Sequence, residues 1–149
     1  MAEAIRQGDI PGVQLRRRQA LAVSAEEAWR WLSEPDRLAL WLAGQAGMTE
    51  GELTLAGEGY RERGRTIEIV PPKLWVLAFE RLDSGWTSAT RLALRVHPLG
   101  TAGVGSEVDV LQDGFQRLPL SACLTIWETY RRRWRDALSR LAEVAVPIS

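Results

Sequence analysis

One long amphipathic pattern fills the last part of the chain, and it constrains the fold more than any other feature. From about Leu120 the apolar residues recur with the 3.6-residue period of an α-helix over about 25 residues. The stripe is formed by Cys123, Trp127, Tyr130, Trp134, Ala137 or Leu138, and Leu141. A long helix with one apolar stripe must bury that stripe against another layer, most simply across a curved sheet.

The middle of the chain shows the period of two that is typical of β-strands. The predicted strands are Glu52–Ala56, Tyr60–Val70, Leu74–Leu82, Thr87–Val96 and Ser106–Leu111. Short turns join them, and the segment Gly44–Gly51 before them is interpreted as a loop. Because no helix separates these strands, the sheet should be antiparallel.

The N-terminal part contributes one more strand and two short helices. Val13–Val23 is extended in character, and the segment Ser24–Glu27 after it has the pattern of a capping box. A helix should follow to about Leu32, with Trp29 in the core and Trp31 more exposed. Pro35 ends this helix and can open a second one, Asp36–Leu42.

These patterns together predict the fold class and the domain organisation. The 149 residues suit one domain, with residues 1–12 as an N-terminal tail and residues 13–146 as the folded part. The expected α+β architecture is a helix-grip arrangement. A curved antiparallel sheet of about six strands carries two short helices and one long C-terminal helix across one face.

Composition excludes several classes of site. A single cysteine, Cys123, allows no internal disulfide or multi-cysteine metal site, and a single histidine, His97, leaves little for zinc. Lys plus Arg equals Asp plus Glu at 19 each, which argues against a nucleic-acid partner. The Arg16–Arg18 run is interpreted as a solvated strand face, and Arg131–Arg133 as partners in helix salt bridges such as that with Glu128. We expect no metal, no cofactor and no catalytic residue.

No segment resembles a secretion signal or a membrane span. The longest uninterrupted apolar runs, Leu38–Ala43 and Leu74–Phe79, are far shorter than the roughly 20 residues that cross a bilayer. We therefore expect a soluble, cytoplasmic protein.

Several segments, taken in order, resemble one superfamily. They are Val23–Trp29 with Leu32, Pro35 and Trp41-Leu42; Gly64–Ile69 with Pro71-Pro72; Asp113-Gly114-Phe115; and Tyr130, Trp134, Leu138 and Leu141. This order is similar to the START-like (SRPBCC, Bet v 1-like) superfamily, and within it to the branch named after the activator of heat-shock-protein ATPase. The chain departs from that pattern at Phe79, where the family often has Trp, and at Arg133, where it usually has Gly.

The resemblance implies a cavity between sheet and long helix, and a choice of functions. A binding module would hold a small hydrophobic or aromatic ligand there, and this is the function we expect. A co-chaperone or stress-response protein without a ligand, with a protein partner or a second copy, is the alternative. A cavity-based hydrolase or cyclase is a third reading, for which the carboxylates near strand ends are Glu52, Glu62, Glu80 and Asp113. No pattern places any of these four inside.

Strand parity predicts which side chains would line a cavity. Trp75, Leu77 and Phe79 share one face of their strand and should face the long helix. Arg65 shares the parity of Ile67 and Ile69 and, in a regular strand, would reach the cavity or its mouth, where its fork could bind a ligand carboxylate. The candidate ligand-binding residues are Trp41, Arg65, Trp75, Phe79, Phe115, Trp127 and Trp134. The alternatives are plain core for the aromatic residues and a snorkelling side chain for Arg65.

The opposite parity predicts a charged outer ladder. A hairpin centred near Thr101 would place Arg95 opposite Glu107 and Ala93 opposite Asp109, with Arg91 in the same ladder. His97 then lies beside solvent. On the helix stripe Cys123 should be a small buried side chain, and Trp31 and Trp86 are candidates for an exposed apolar patch.

Overall fold

The structure, a computed structural model, describes residues 8–82, 89–100 and 103–147. Its strands are β1 (Gln14–Leu21), β2 (Gln45–Thr49), β3 (Glu52–Gly57), β4 (Tyr60–Val70), β5 (Leu74–Arg81), β6 (Thr90–Leu99) and β7 (Gly105–Asp113). Its helices are α1 (Ala25–Ser33), α2 (Pro35–Trp41) and α3 (Cys123–Val144), with a 3₁₀ turn at Phe115–Arg117. Within the described ranges no helix is long and apolar enough to cross a membrane.

The strands form a single antiparallel sheet with the order β1-β7-β6-β5-β4-β3-β2. Strands β2 to β7 follow one another as a meander, while β1 pairs with β7 at the far edge. Helix α3 packs against β1, α2 and the 3₁₀ turn, so one face of the sheet is covered and the core lies between the two layers. The predicted helix-grip α+β architecture is confirmed.

The two short helices begin and end as the sequence predicts. The Ser24 hydroxyl accepts a hydrogen bond from the Glu27 amide at 3.2 Å and caps α1, while Pro35 opens α2 at its first position. Trp29 is buried in the core and Trp31 is half-buried. The guanidinium of Arg37 lies 5.0 Å from the Trp31 ring centroid and covers it.

The structure differs from the sequence prediction at β2 and at the start of α3. Strand β2 lies in the segment that the sequence analysis interprets as a loop. Three closely spaced glycines in that segment hide the period of two, and β2 pairs with β3 at the sheet edge. Helix α3 begins at Cys123 and not near Leu120, whose side chain is exposed in the turn before it. Cys123 is only partly buried. Trp86 and the centre of the predicted turn at Thr101 lie outside the described residues.

The predicted orientation of Arg65 is wrong, because β4 is not a regular strand. Its pairing with β5 slips between Thr66 and Glu68, which is the signature of a β-bulge. Beyond the bulge Ile69 lies opposite the inward-facing Trp75, so the alternation changes at this point. Before it, the odd-numbered residues face outward, and Arg65 is exposed on the outer face of the sheet.

The inner face of β4 before the bulge carries Tyr60, Glu62, Gly64 and Thr66. Gly64 lies opposite Phe79, and a β-carbon there would stand 2.8 Å from Leu77 Cδ2. The absence of a side chain at this position therefore lets the core of β5 approach the strand closely.

The charged outer ladder is present with a different register. Arg95 lies opposite Asp109, and His97 lies opposite Glu107, so the predicted pairing of Arg95 with Glu107 is wrong. The pairing of β6 with β7 centres the hairpin one residue later than predicted, which moves each partner by two. His97 is exposed, as predicted. Asp109 accepts two hydrogen bonds from Arg16 on β1, at 2.7 and 3.1 Å.

The Arg16–Arg18 run is divided between the two faces of β1. Arg16 and Arg18 face outward, while Arg17 is buried and pairs with Asp9 at 2.8 Å. The interpretation of the run as one solvated face is therefore wrong for Arg17, because alternation turns the middle residue of any strand triplet to the opposite side.

Candidate functional site

A buried charged cluster lies between the inner face of the sheet and α3. Glu62 of β4 is 1% exposed, and its two carboxylate oxygens accept hydrogen bonds from different residues of the helix. The Tyr130 hydroxyl donates to Oε2, and Arg133 Nη1 donates to Oε1. Tyr130 and Arg133 are three positions apart, so they project from neighbouring points of one helix face. We call Tyr60, Glu62, Tyr130 and Arg133 the inner cluster.

Tyr60 completes this cluster by stacking on the arginine. The guanidinium carbon of Arg133 lies 4.6 Å from the Tyr60 ring centroid and 5.8 Å from that of Tyr130. The Tyr60 ring occupies the space that a β-carbon at Gly57 would need, so a glycine is required there. The hairpin between β3 and β4 therefore holds Tyr60 over the guanidinium.

Arg133 has hydrogen-bonding capacity that the protein does not use. Its Nε and Nη2 atoms are buried and have no hydrogen-bond partner, while Nη1 is committed to Glu62. An unsatisfied buried donor costs about 1–3 kcal/mol. The Nε–Nη2 edge of a guanidinium is also the edge that binds a carboxylate or phosphate in bidentate fashion.

Electrostatics keep the tyrosine neutral and the arginine charged. Burial raises the pKa of Tyr130 well above its usual value, and the charge of Glu62 raises it further. The hydroxyl is therefore a proton donor to Glu62 at neutral pH. Burial lowers the pKa of Arg133, but the attraction of Glu62 outweighs this and leaves it raised. The cluster thus holds one buried ion pair.

Two surface clefts lie on opposite faces of this part of the sheet. The first, of about 350 Å³, is lined by Gln45, Ala46, Gly47, Thr54, Leu55, Ala56, Arg61, Glu62 and Leu82. Its exposed side chains, such as Gln45, Thr54 and Arg61, share the outward face of their strands, so this cleft opens away from α3. The second, of about 390 Å³, is lined by residues 39–44, Gly57, Glu58, Tyr60 and Arg140, and through Tyr60 it borders the inner cluster.

Four of the predicted ligand-binding aromatic residues make ring contacts, in two groups. Phe79 and Phe115 contact the Tyr130 ring, with centroid distances of 6.2 and 5.9 Å. Trp41 and Trp134 contact each other at 6.5 Å. All four are buried in the core.

The polar ends of the tryptophans are bonded within the protein. Trp134 Nε1 donates to Gln112 Oε1 at 2.9 Å, and Trp41 Nε1 donates to a backbone carbonyl at 3.0 Å. Trp75 is tied to Thr66, and Trp127 to the carbonyl of Gln14, so these two are held by strands at opposite sides of the sheet. Arg65, on the outer face, is separated from all of them.

Sequence reasoning missed the inner cluster as a unit. Glu62 was one of four candidate carboxylates. The bulge in β4 decides which face of the sheet it occupies. The Arg131–Arg133 run was interpreted as helix salt bridges, and Arg131 and Arg132 do pair with Glu128 at 2.6 and 3.2 Å. Arg133 instead turns inward. Its one signal was its position beside Trp134, where the resembling family usually has Gly.

The described residues hold no group of three histidine, cysteine or carboxylate side chains that could bind a metal ion. No protein-family model and no curated protein matches the sequence.

Solved structures match over most of the chain. The protein CV1439 from Chromobacterium violaceum is 19% identical, with a TM-score of 0.71 over 91% of this chain and 99% of that one. The HSP90 activator PFC0360w from Plasmodium falciparum is 14% identical, with a TM-score of 0.71 over 89% and 95%. DynU16, a protein of the dynemicin biosynthetic locus, is 19% identical, with a TM-score of 0.67 over 87% of this chain and 46% of that one. At these identities the likeness concerns the fold alone, and it agrees with the helix-grip arrangement described above.

Proposed function

We propose that the protein binds a small hydrophobic or aromatic molecule between the sheet and α3, beside the inner cluster. The observation that carries this proposal is the buried Glu62–Tyr130–Arg133 network beside the 390 Å³ cleft that Tyr60 lines. A core that served stability alone would gain nothing from such a network, since apolar side chains of similar volume are often as stable as a buried ion pair. Ligand sites combine apolar walls with a few convergent polar groups.

The surroundings of the cluster fit this proposal. Phe79 and Phe115 pack on Tyr130, and Trp41 and Leu42 form part of the wall of the second cleft. One of the similar structures is that of a protein of the dynemicin biosynthetic locus, which supports a role with a small molecule. Of the residues predicted from sequence, Trp41, Phe79, Phe115 and Trp134 therefore remain proposed ligand contacts, together with the inner cluster.

Titration with the neutral fluorophore N-phenyl-1-naphthylamine tests the proposal. Saturable binding should be seen by energy transfer from the core tryptophans. Ala39→Phe, which adds a large side chain to the wall of the second cleft, should weaken binding by about tenfold. Ala20→Phe adds the same side chain on the exposed outer face of β1 and should leave binding unchanged. No saturable binding, or equal binding by both variants, would contradict the proposal.

A protein-interaction role is the second candidate function. It is favoured by two exposed leucines near the start of α3, Leu120 and Leu124, beside a shallow groove on the helix surface. Large exposed apolar side chains that lie together often mark a protein contact. The likeness to an HSP90 activator gives the measurement: the protein should raise the ATPase rate of an HSP90, and Leu120→Ser with Leu124→Ser should abolish the effect. An unchanged ATPase rate would remove this candidate.

A further inference from the structure

We infer that the ligand of this site carries an anionic group, which the Nε–Nη2 edge of Arg133 binds in bidentate fashion. This inference rests on the proposed function, because it names the chemical class of that ligand. The first observation is that these two nitrogens are buried without a partner, although the third, Nη1, is fully engaged. In folded proteins such donors are almost always satisfied, so the unused edge indicates a missing acceptor.

The geometry of the guanidinium favours an acid over a neutral acceptor. Tyr60 stacks on its face at 4.6 Å and Glu62 holds Nη1, so the plane of the fork is oriented before any ligand arrives. Two parallel N–H donors match the two oxygens of a carboxylate, sulfonate or phosphate group. A neutral hydroxyl or carbonyl offers a single oxygen, which the two donors would have to share.

The neighbouring carboxylate limits the charge that the site accepts. Glu62 already offsets the charge of Arg133, and Tyr130 adds a neutral donor. The guanidinium of Arg81 lies 5.8 Å from the Tyr60 ring centroid, so a further cation stands beside the cluster. A ligand with one acidic group at the end of an apolar or aromatic body therefore fits better than a polyanion. Such a molecule would place its body along the cleft beside Tyr60.

Two fluorophores that differ in one group test the inference. N-phenyl-1-naphthylamine is neutral, and 1-anilinonaphthalene-8-sulfonate is the same aromatic body with a sulfonate. The wild-type protein should bind the sulfonate at least about tenfold more tightly, the gain expected from a charge-assisted bidentate contact. Glu62→Gln, which removes the competing charge, should increase that preference.

Variants of Arg133 test whether this residue causes the preference for the sulfonate. Because Arg133→Gln alone leaves Glu62 buried and unpaired, the paired variant Glu62→Gln/Arg133→Gln is used to keep the fold. It should bind both fluorophores alike. Arg132→Gln removes an exposed arginine from the same helix and should retain the full preference. Near-ultraviolet circular dichroism and a thermal melt confirm that each variant is folded.

The possible outcomes distinguish a failure of the proposed function from a failure of the inference about an anionic ligand. If neither fluorophore binds the folded wild-type protein, the proposed function fails, and the inference fails with it. If both bind equally, or if the paired variant keeps the preference for the sulfonate, the proposed function stands and the inference is overturned. Loss of the preference in the paired variant but not in Arg132→Gln supports both.

Discussion

Replacing Arg133 by methionine should destabilise the protein strongly. Methionine keeps the apolar stem of the side chain but removes the guanidinium, so Glu62, 1% exposed, is left with the Tyr130 hydroxyl alone. Breaking one side of a buried ion pair typically costs about 3–5 kcal/mol, and we expect a loss of this size at pH 7.

Urea unfolding followed by tryptophan fluorescence measures this loss. Adding Glu62→Gln to Arg133→Met should recover most of the stability. Arg132→Met is the control, because its pair with Glu128 is exposed and should cost less than about 1 kcal/mol.

Two results would refute the reasoning about this pair. One is a cost for Arg133→Met no larger than that of the Arg132→Met control. The other is a deficit that remains in full when Glu62→Gln is added to Arg133→Met. Either would mean that Glu62 is satisfied without the arginine.

Two further predictions concern the core around the cluster. Gly64→Ala should destabilise the protein by about 1–3 kcal/mol, because the new β-carbon would stand 2.8 Å from Leu77 Cδ2; Gly44→Ala, whose β-carbon meets nothing nearer than 3.9 Å, should change urea unfolding little. Burial raises the pKa of Tyr130, so above pH 10 the unfolded chain loses this proton first and stability falls, by up to about 1.4 kcal/mol per pH unit. Tyr130→Phe should remove that part of the slope in unfolding measured from pH 9 to 11, and an identical slope in the variant would contradict the assignment.

Local patterns predicted the elements but not their exact register. The capping residue Ser24 and the start of α2 at Pro35 are where the sequence places them, because each depends on a few neighbouring residues. Strand β2 escaped prediction, since its stability comes from pairing with β3 and not from its own glycine-rich sequence. The β6–β7 register differed because the length of a turn, and not strand parity, decides which residues face each other.

The candidate site shows the same difference between what local patterns predict and what strand pairing decides. Parity placed the aromatic residues Phe79 and Trp134 in the interior correctly, because apolar alternation is a direct record of burial. Parity predicted that Arg65 points inward, and it did not decide which face of the sheet Glu62 occupies. The reason is that one bulged residue reverses the alternation along β4. A bulge leaves no signature in the hydrophobic pattern when the strand around it is rich in charged residues.

The sequence by itself determined that a long amphipathic helix covers an antiparallel sheet, since periodicity and short turns are properties of contiguous residues. Only the tertiary structure decided that Glu62 meets Tyr130 and Arg133, which lie 68 and 71 positions away along the chain. That meeting depends on the bulge in β4, on the rotation of α3 about its axis and on the space that Gly57 leaves for Tyr60. Each of these is a consequence of packing between layers, which no local pattern records.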